Sequence, residues 1–266
     1  MVVRQILSPV LISWLGNTLR HLVRRGLLGG VLHSVGGGTP LTRVRVVAAT
    51  RLTERDFWKT SMLGRSLATW RNDNRIDIDI AFENRLGLPS VYNAGCRRAQ
   101  AGDAVLFVHD DVWLDDGLWI DKLLVALKRY DVVGLAGNTR RVAGQHSWHI
   151  LSVGTTPMDF PHLSGSIGHG EGPRGFMSVY GPAPLECELV DGVFLAVRKD
   201  VCEHSRLEFD ERFDFHFYDL DFCRSARSRG LKLGTWPILA THRSTGNFGG
   251  PDWKQGLQRY MTKWKS

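Results

Sequence analysis

The sequence predicts an α/β chain built on a mostly parallel, doubly wound central sheet flanked by helices, with an amphipathic helix in front of it. Three observations carry this reading. Apolar, β-branched runs at 44–49, 76–83, 104–108 and 131–136 alternate with segments of helical period. The first three runs stop at polar residues, Thr50-Arg51, Glu83-Asn84 and His109-Asp110-Asp111. The composition, 43% hydrophobic and 23% charged over 266 residues, is globular and excludes collagen-like and disordered classes.

The chain opens with an Arg-rich segment that has no acidic residue before Glu54. Ile6, Leu7, Val10, Leu11, Trp14, Leu15, Leu19, Leu22, Val23 and Leu27 form a stripe at spacings of three and four, with Pro9 near the helix start. The uncharged stretch 5–19 rises roughly 22 Å as a helix, short of a bilayer core. Three readings stand for it: an interfacial helix on an anionic membrane surface, a helix packed on its own domain or on a sister subunit of a homo-oligomer, and a targeting signal. Gly36-Gly37-Gly38-Thr39-Pro40 is a linker, so residues 1–40 form one unit and 41–266 the main domain.

Within the main domain, helices are expected over 53–70, capped by Thr53, and over 90–101, 118–129 and 217–229. Strands are expected at 189–197, carrying Asp191-Gly192, and at 235–241. The chain closes in an amphipathic helix with Trp253, Leu257, Tyr260, Met261 and Trp264, and its last fourteen residues are again basic and acid-free. The stretch 138–186, rich in Gly, Pro, Ser and His, is too long for an ordinary loop and is expected to be a functional lid with some structure of its own or a disordered insert. Positive charge gathered at the two ends argues against a nucleic-acid groove and for an acidic docking surface. Four scattered cysteines without a CxxC pair exclude a zinc ribbon and suit reduced thiols in a cytoplasmic protein.

Ligands of such sheets bind beyond the carboxyl ends of the strands. There, Asp110 and Asp111 with His109 suit a hard cation, Mg²⁺ or Mn²⁺, held together with substrate phosphates; the bland alternative is a solvated acidic turn with Asp115 and Asp116. Asp219 and Asp221 are two apart on a helix and point to different sides, so one faces a cleft while the other caps or pairs. Asp219 follows an aromatic run, and partial burial there suits a general base; the alternative is an N-terminal helix acid stabilised by the macrodipole. His242 ends the last strand as a candidate metal ligand. His146, His149, His162 and His169 lie in the Gly-rich stretch, but no HExxH motif occurs and no zinc site is read there.

In this order, these pieces resemble a family 2 glycosyltransferase of the GT-A fold, from about Val44 to the C-terminus. His109-Asp110-Asp111 resembles the DxD motif, Tyr92-Asn93-Ala94-Gly95 the Asn-x-Gly helix start, and Gly102-Asp103 the Gly-acid before the motif strand. Phe209-Asp210-Glu211 with Tyr218-Asp219-Leu220-Asp221 resembles the block that carries the catalytic base. His109 in place of the first DxD acid, and Tyr218 in place of the glutamate before the base, resemble a bacterial subgroup with His-x-Asp-Val and His-Phe-Tyr-Asp motifs.

The resemblance implies a metal-dependent, inverting transfer from a nucleotide sugar, a UDP-sugar first, to a glycan or lipid-linked acceptor, as in polysaccharide biosynthesis. It implies Asp219 as base and Asp111 and His242 as ligands of Mn²⁺ or Mg²⁺. Thr50, Arg51, Glu83, Asn93, His109 and Asp110 would hold the donor, and Asp191, His216 and Trp148 would line the acceptor side, with 138–186 as its lid. The protein would be cytoplasmic and peripheral at the inner membrane face. A non-catalytic nucleotide-sugar-binding or scaffold protein with a degenerate site is the alternative.

Overall fold

The computed structural model describes residues 41–151, 158–243 and 248–265. The helix and linker expected over 1–40 lie outside the described residues. In chain order the strands are β1 (Arg43–Ala49), β2 (Ile76–Ala81), β3 (Asp103–Val108), β4 (Val112–Leu114), β5 (Val132–Gly134), β6 (Ala136–Asn138) and β7 (Leu163–His169). They continue as β8 (Phe176–Gly181), β9 (Glu186–Cys187), β10 (Leu189–Val190), β11 (Phe194–Arg198), β12 (Leu233–Thr235) and β13 (Ala240–His242). The helices are α1 (Glu54–Thr60), α2 (Met62–Ala68), α3 (Leu88–Arg98), α4 (Trp119–Ala126), α5 (Lys199–Ser205), α6 (Tyr218–Ser228) and α7 (Pro251–Lys263).

The larger sheet has the order β2-β1-β3-β11-β5-β12-β9. Its strands β1, β2, β3, β5 and β12 share one direction, while β11 and β9 run against it, so the sheet is mixed but mostly parallel. β3, β5 and β11 are buried along nearly their whole length, as strands covered on both faces should be. The second sheet, β10-β6-β7-β13-β4 with β8 beside β7, stands at the carboxyl edge of the first.

The two sheets explain where the expected elements and the structure differ. Each run expected as one strand at 131–136, 189–197 and 235–241 is split between the sheets, at Leu135, at 191–193 and at 236–239. Both halves of each run are buried, so hydrophobicity carries no mark of the bend. The stretch 138–186 is no simple insert: β7 and β8 form an antiparallel pair inside the second sheet. The helix expected over 53–70 is two helices, parted where Ser61 turns extended (φ −70°, ψ 150°). Ser61 Oγ donates to the Phe57 carbonyl at 2.8 Å and accepts from the Gly64 N–H at 2.8 Å, ending one helix and capping the next. The short helix α5 had no sequence counterpart.

Two contacts brace the elements around the site. Gly95 lets α3 lie flat on β1, since a Cβ there would come within 2.5 Å of Val47 Cγ1. Asn93 ties the same helix to the 209–211 segment: its amide donates to the Phe209 carbonyl (2.9 Å) and Glu211 Oε1 (3.0 Å) and accepts from the Phe209 N–H (2.9 Å). Farther along, fully buried Asp221 accepts from Lys263 Nζ at 2.9 Å and from Trp264 Nε1 at 2.7 Å, docking α7 onto α6. Lys263→Met is expected to cost about 3 kcal/mol in chemical denaturation, because it strands a buried carboxylate while Lys263 itself is partly solvated. No helix among the described residues is long and apolar enough to cross a membrane.

Candidate active site

The short links between the two sheets carry polar residues into one cavity of about 550 Å³, within the range of a small-molecule site. Residues 109–111 join β3 to β4, and residues 191–193 join β10 to β11; His242 ends β13, and Asp219 opens α6. All of them line this cavity. Asp115 and Asp116, the rivals for the acidic turn, face elsewhere. Asp115 accepts from the Thr241 hydroxyl (2.6 Å) and the Arg174 N–H (2.7 Å), and Asp116 pairs with Lys122 (2.5 Å).

On one wall, a nitrogen each of His109 and His242 and an oxygen of Asp111 lie within 4.8 Å of one another. β13 pairs antiparallel with β4, setting His242 opposite Val112 and bringing its ring to Asp111. His242 Nε2 is 3.2 Å from Asp111 Oδ1, yet buried and outside hydrogen-bond geometry. Burial alone would lower the His242 pKa, but Asp111 beside it raises it; burial works against Asp111, whose carboxyl the two imidazoles hold below its ordinary range. Asp110, one residue away, is pushed up by burial against the opposing pull of the Thr50 hydroxyl.

The two departures from the family motifs touch each other. His109 Nε2 meets the Tyr218 hydroxyl at 2.8 Å, and that hydroxyl donates to the Gly192 carbonyl at 2.9 Å. With its one proton committed to Gly192, Tyr218 accepts from His109, which fixes the Nε2–H tautomer and leaves Nδ1 with a lone pair. Burial drives the His109 pKa down to about 4, so the ring is neutral, the form in which imidazole binds a metal. Tyr218→Phe removes this support and is expected to weaken Mn²⁺ binding by about 10–100-fold, measured by calorimetry, without unfolding the chain.

Asp219 stands in the first turn of α6, behind Phe217, whose left-handed backbone (φ 67°) turns the chain into the helix. Phe217 holds that turn by packing on Tyr260 and Trp253, with ring centroids 5.4 Å away in each case. Burial, and then the charge of Asp191, push the Asp219 pKa up to about 7. The Gly192 N–H donates to Asp219 Oδ2 at 3.2 Å. Asp191 is pinned in turn by the Trp148 indole N–H (2.5 Å) and the Val193 N–H (2.8 Å). A side chain at Gly192 would meet Tyr218 Oη at 2.6 Å and Asp219 Cβ at 2.7 Å. Gly192→Ala is therefore expected to cut kcat about 10²-fold in a turnover assay, by displacing both residues.

Of the residues singled out in the sequence, Asp219, Asp111, His242, His109, Asp110, Asp191, His216 and Trp148 share this cavity. Thr50 is buried at the end of β1, next to Asp110, while Arg51 and Glu83 are exposed at the carboxyl ends of β1 and β2. Asn93 lies outside the cavity, with its amide engaged in bracing. The sequence reading passed over Tyr180, Phe215 and Phe248, and took His146, His149 and His169 only as members of a Gly-rich stretch; all six line the cavity. The signal was the clustering of four of the ten histidines within 138–186.

No curated protein matches the chain. Solved structures similar to it include S. aureus TarS 1–349, at 13% identity and a TM-score of 0.47 over 83% of this chain and 64% of that one. GalNAc-T7 with UDP, GalNAc and Mn²⁺ stands at 13% and 0.47, over 83% and 48%. The catalytic domain of Drosophila beta1,4galactosyltransferase 7 with xylobiose stands at 12% and 0.43, over 81% and 79%. The chain thus spans less than two thirds of the first two. The model of the "Glycosyltransferase like family" matches residues 70–242, from the approach to β2 through the last metal-donor candidate, and so takes in His109, Asp111, Asp191, Asp219 and His242. By that match the chain belongs to the glycosyltransferase-like family.

Proposed function

We propose that the chain catalyses metal-dependent, inverting transfer of a sugar from a nucleotide-sugar donor, a UDP-sugar first, to a hydroxyl of a glycan or lipid-linked acceptor. One observation carries the reading: a buried carboxylate of raised pKa, Asp219, shares a cavity with three converging metal donors. The donor set fits Mn²⁺ or Mg²⁺. His242 Nε2 is buried without a hydrogen-bond partner beside Asp111, and the tautomer of His109 leaves a nitrogen free to ligate. A divalent cation held there neutralises charge on the leaving diphosphate.

The chain's own residues account for the rest. Asp219, with a pKa near working pH, takes the proton from the attacking hydroxyl. Asp191 beside that carboxyl helps burial raise its pKa, and the Gly192 N–H orients it. A single displacement with Asp219 as base inverts the anomeric carbon. Thr50, Arg51 and Glu83, at the carboxyl ends of β1 and β2, are positioned to meet the nucleoside, and Trp148 and His216 to meet the acceptor. The basic chain ends support a cytoplasmic enzyme working at an anionic membrane face.

Calorimetry with UDP-, GDP-, TDP- and CMP-sugars, with and without Mn²⁺, tests the reading. Metal-dependent binding of the UDP class, followed by NMR of the product showing an inverted anomer, is expected. Heat from no nucleotide in either condition would overturn it in favour of a degenerate, non-catalytic site.

A further inference from the structure

Carboxylates dominate the described lining of the cavity, and apart from the imidazoles no ionisable side chain of opposite sign joins them. Asp110, Asp111, Asp191 and Asp219 line it, and among the described residues no lysine or arginine does. Residues 152–157 and 244–247, outside the described residues, contain neither in their sequence. The histidines do not redress the balance. Burial holds His146, His149, His169 and His216 below the ordinary imidazole range, so they are neutral near pH 7. The guanidinium of Arg243 acts on Asp110 and His242, at the metal wall, and pairs with Glu171 at 3.8 Å. An anionic donor can therefore be met by cationic charge at the metal wall, but among the described residues no lysine or arginine lines the cavity beside Trp148 and Asp191.

That side offers ring surface instead. Trp148 and Tyr180 meet edge to face at 4.9 Å, with His149 4.6 Å from the indole. Phe215, 5.7 Å from the His109 ring, lines the cavity and is 51% exposed. Phe248 lines the same cavity and is 60% exposed. Two phenylalanines left bare at a cavity mouth are surface awaiting an apolar partner, and the C–H face of a sugar ring is such a partner. Any hydroxyl that reaches Asp219 also brings its ring within a few ångströms of Asp191, so charge on that ring meets like charge in a poorly solvated space.

Resting on the glycosyl-transfer reading, we propose that the acceptor half of the cavity selects an uncharged sugar ring, seated against Phe215 and Phe248, and rejects rings that carry a carboxylate, sulfate or phosphate. Asp191 is the specificity-determining residue, and its hydrogen bonds from Trp148 and Val193 keep its charge in place.

Saturation-transfer NMR on the full chain loaded with Mg²⁺ and UDP tests this. The probes are the methyl glycosides of glucose, galactose and mannose and their uronate counterparts. The neutral glycosides are expected to bind at least tenfold more tightly than the matching uronates. Combined Phe215→Ala and Phe248→Ala should weaken the neutral probes at least tenfold, and Asp191→Asn should narrow the gap between the two classes. A uronate that binds as tightly as its neutral parent, no binding of either class, or a gap unmoved in Asp191→Asn would each overturn the proposal. Calorimetry of Mg²⁺–UDP on the same sample separates the two levels. If the nucleotide binds and the sugar preference fails, this inference alone falls; if the nucleotide does not bind, the underlying reading falls with it.

Discussion

Asp219→Asn is expected to lower kcat about 10³-fold while leaving metal-dependent nucleotide binding intact. An amide fits the same space and still accepts from the Gly192 N–H, but it cannot take a proton from the acceptor. In the unaltered protein, kcat should rise with pH through about 7, where Asp219 ionises. The same shift bears on stability with the opposite sign. A carboxyl whose pKa is raised by folding holds its proton in the native state after the unfolded chain has lost it. Its contribution to stability is thus present at low pH and fades between about pH 4, the unfolded value, and about pH 7. Above pH 7 the buried charge is a burden on the fold, so Asp219→Asn should melt higher than the unaltered chain at pH 8, by several °C. An inactive variant that also melts lower there would point to lost structure rather than a lost base. Turnover against pH and thermal melts at pH 5 and 8 decide between these.

The second large effect lies on the opposite wall. Asp111→Asn and His242→Ala should each weaken Mn²⁺ binding more than about 10²-fold, since even outer-shell partners of a metal cost 10–100-fold when removed. Chelation with EDTA should abolish nucleotide-sugar binding by the unaltered chain and lower its melting temperature by only a few °C, as mass action requires, because β4 and β13 pair through their backbones. Full nucleotide binding by either variant in Mn²⁺ would remove this triad from the donor site.

The ends of β1 and β3 were legible because a buried strand that stops at polar residues announces both itself and its direction. Asp219 was legible for a related reason: an aromatic run ahead of a helix start means a carboxyl in dry surroundings. The strand breaks at Leu135 and at 191–193 were not legible, because the chain leaves one buried sheet for another with no polar interruption at the first and a single Asp-Gly at the second. Asn93 could be found by motif, but its work of tying α3 to the 209–211 segment depends on a partner more than a hundred residues away. The cavity wall from 146–149 and Tyr180 has no period to read, since irregular backbone and an edge pair of strands position it. The contact between His109 and Tyr218 was equally hidden, although each residue had been noticed for its own sake.

The pairing of β13 with β4 fixes when the proposed metal-donor set is complete during the chain's own synthesis. Asp111 emerges early and His242 late, and the strand bearing His242 must slot between β4 and β7 before the two side chains meet. At about 5–20 residues per second, a ribosome needs on the order of ten seconds to travel from one to the other. Throughout that interval the nascent chain already carries the HDD turn of residues 109–111 but lacks the last donor. In the proposed reaction, sugar transfer waits for the closing strand.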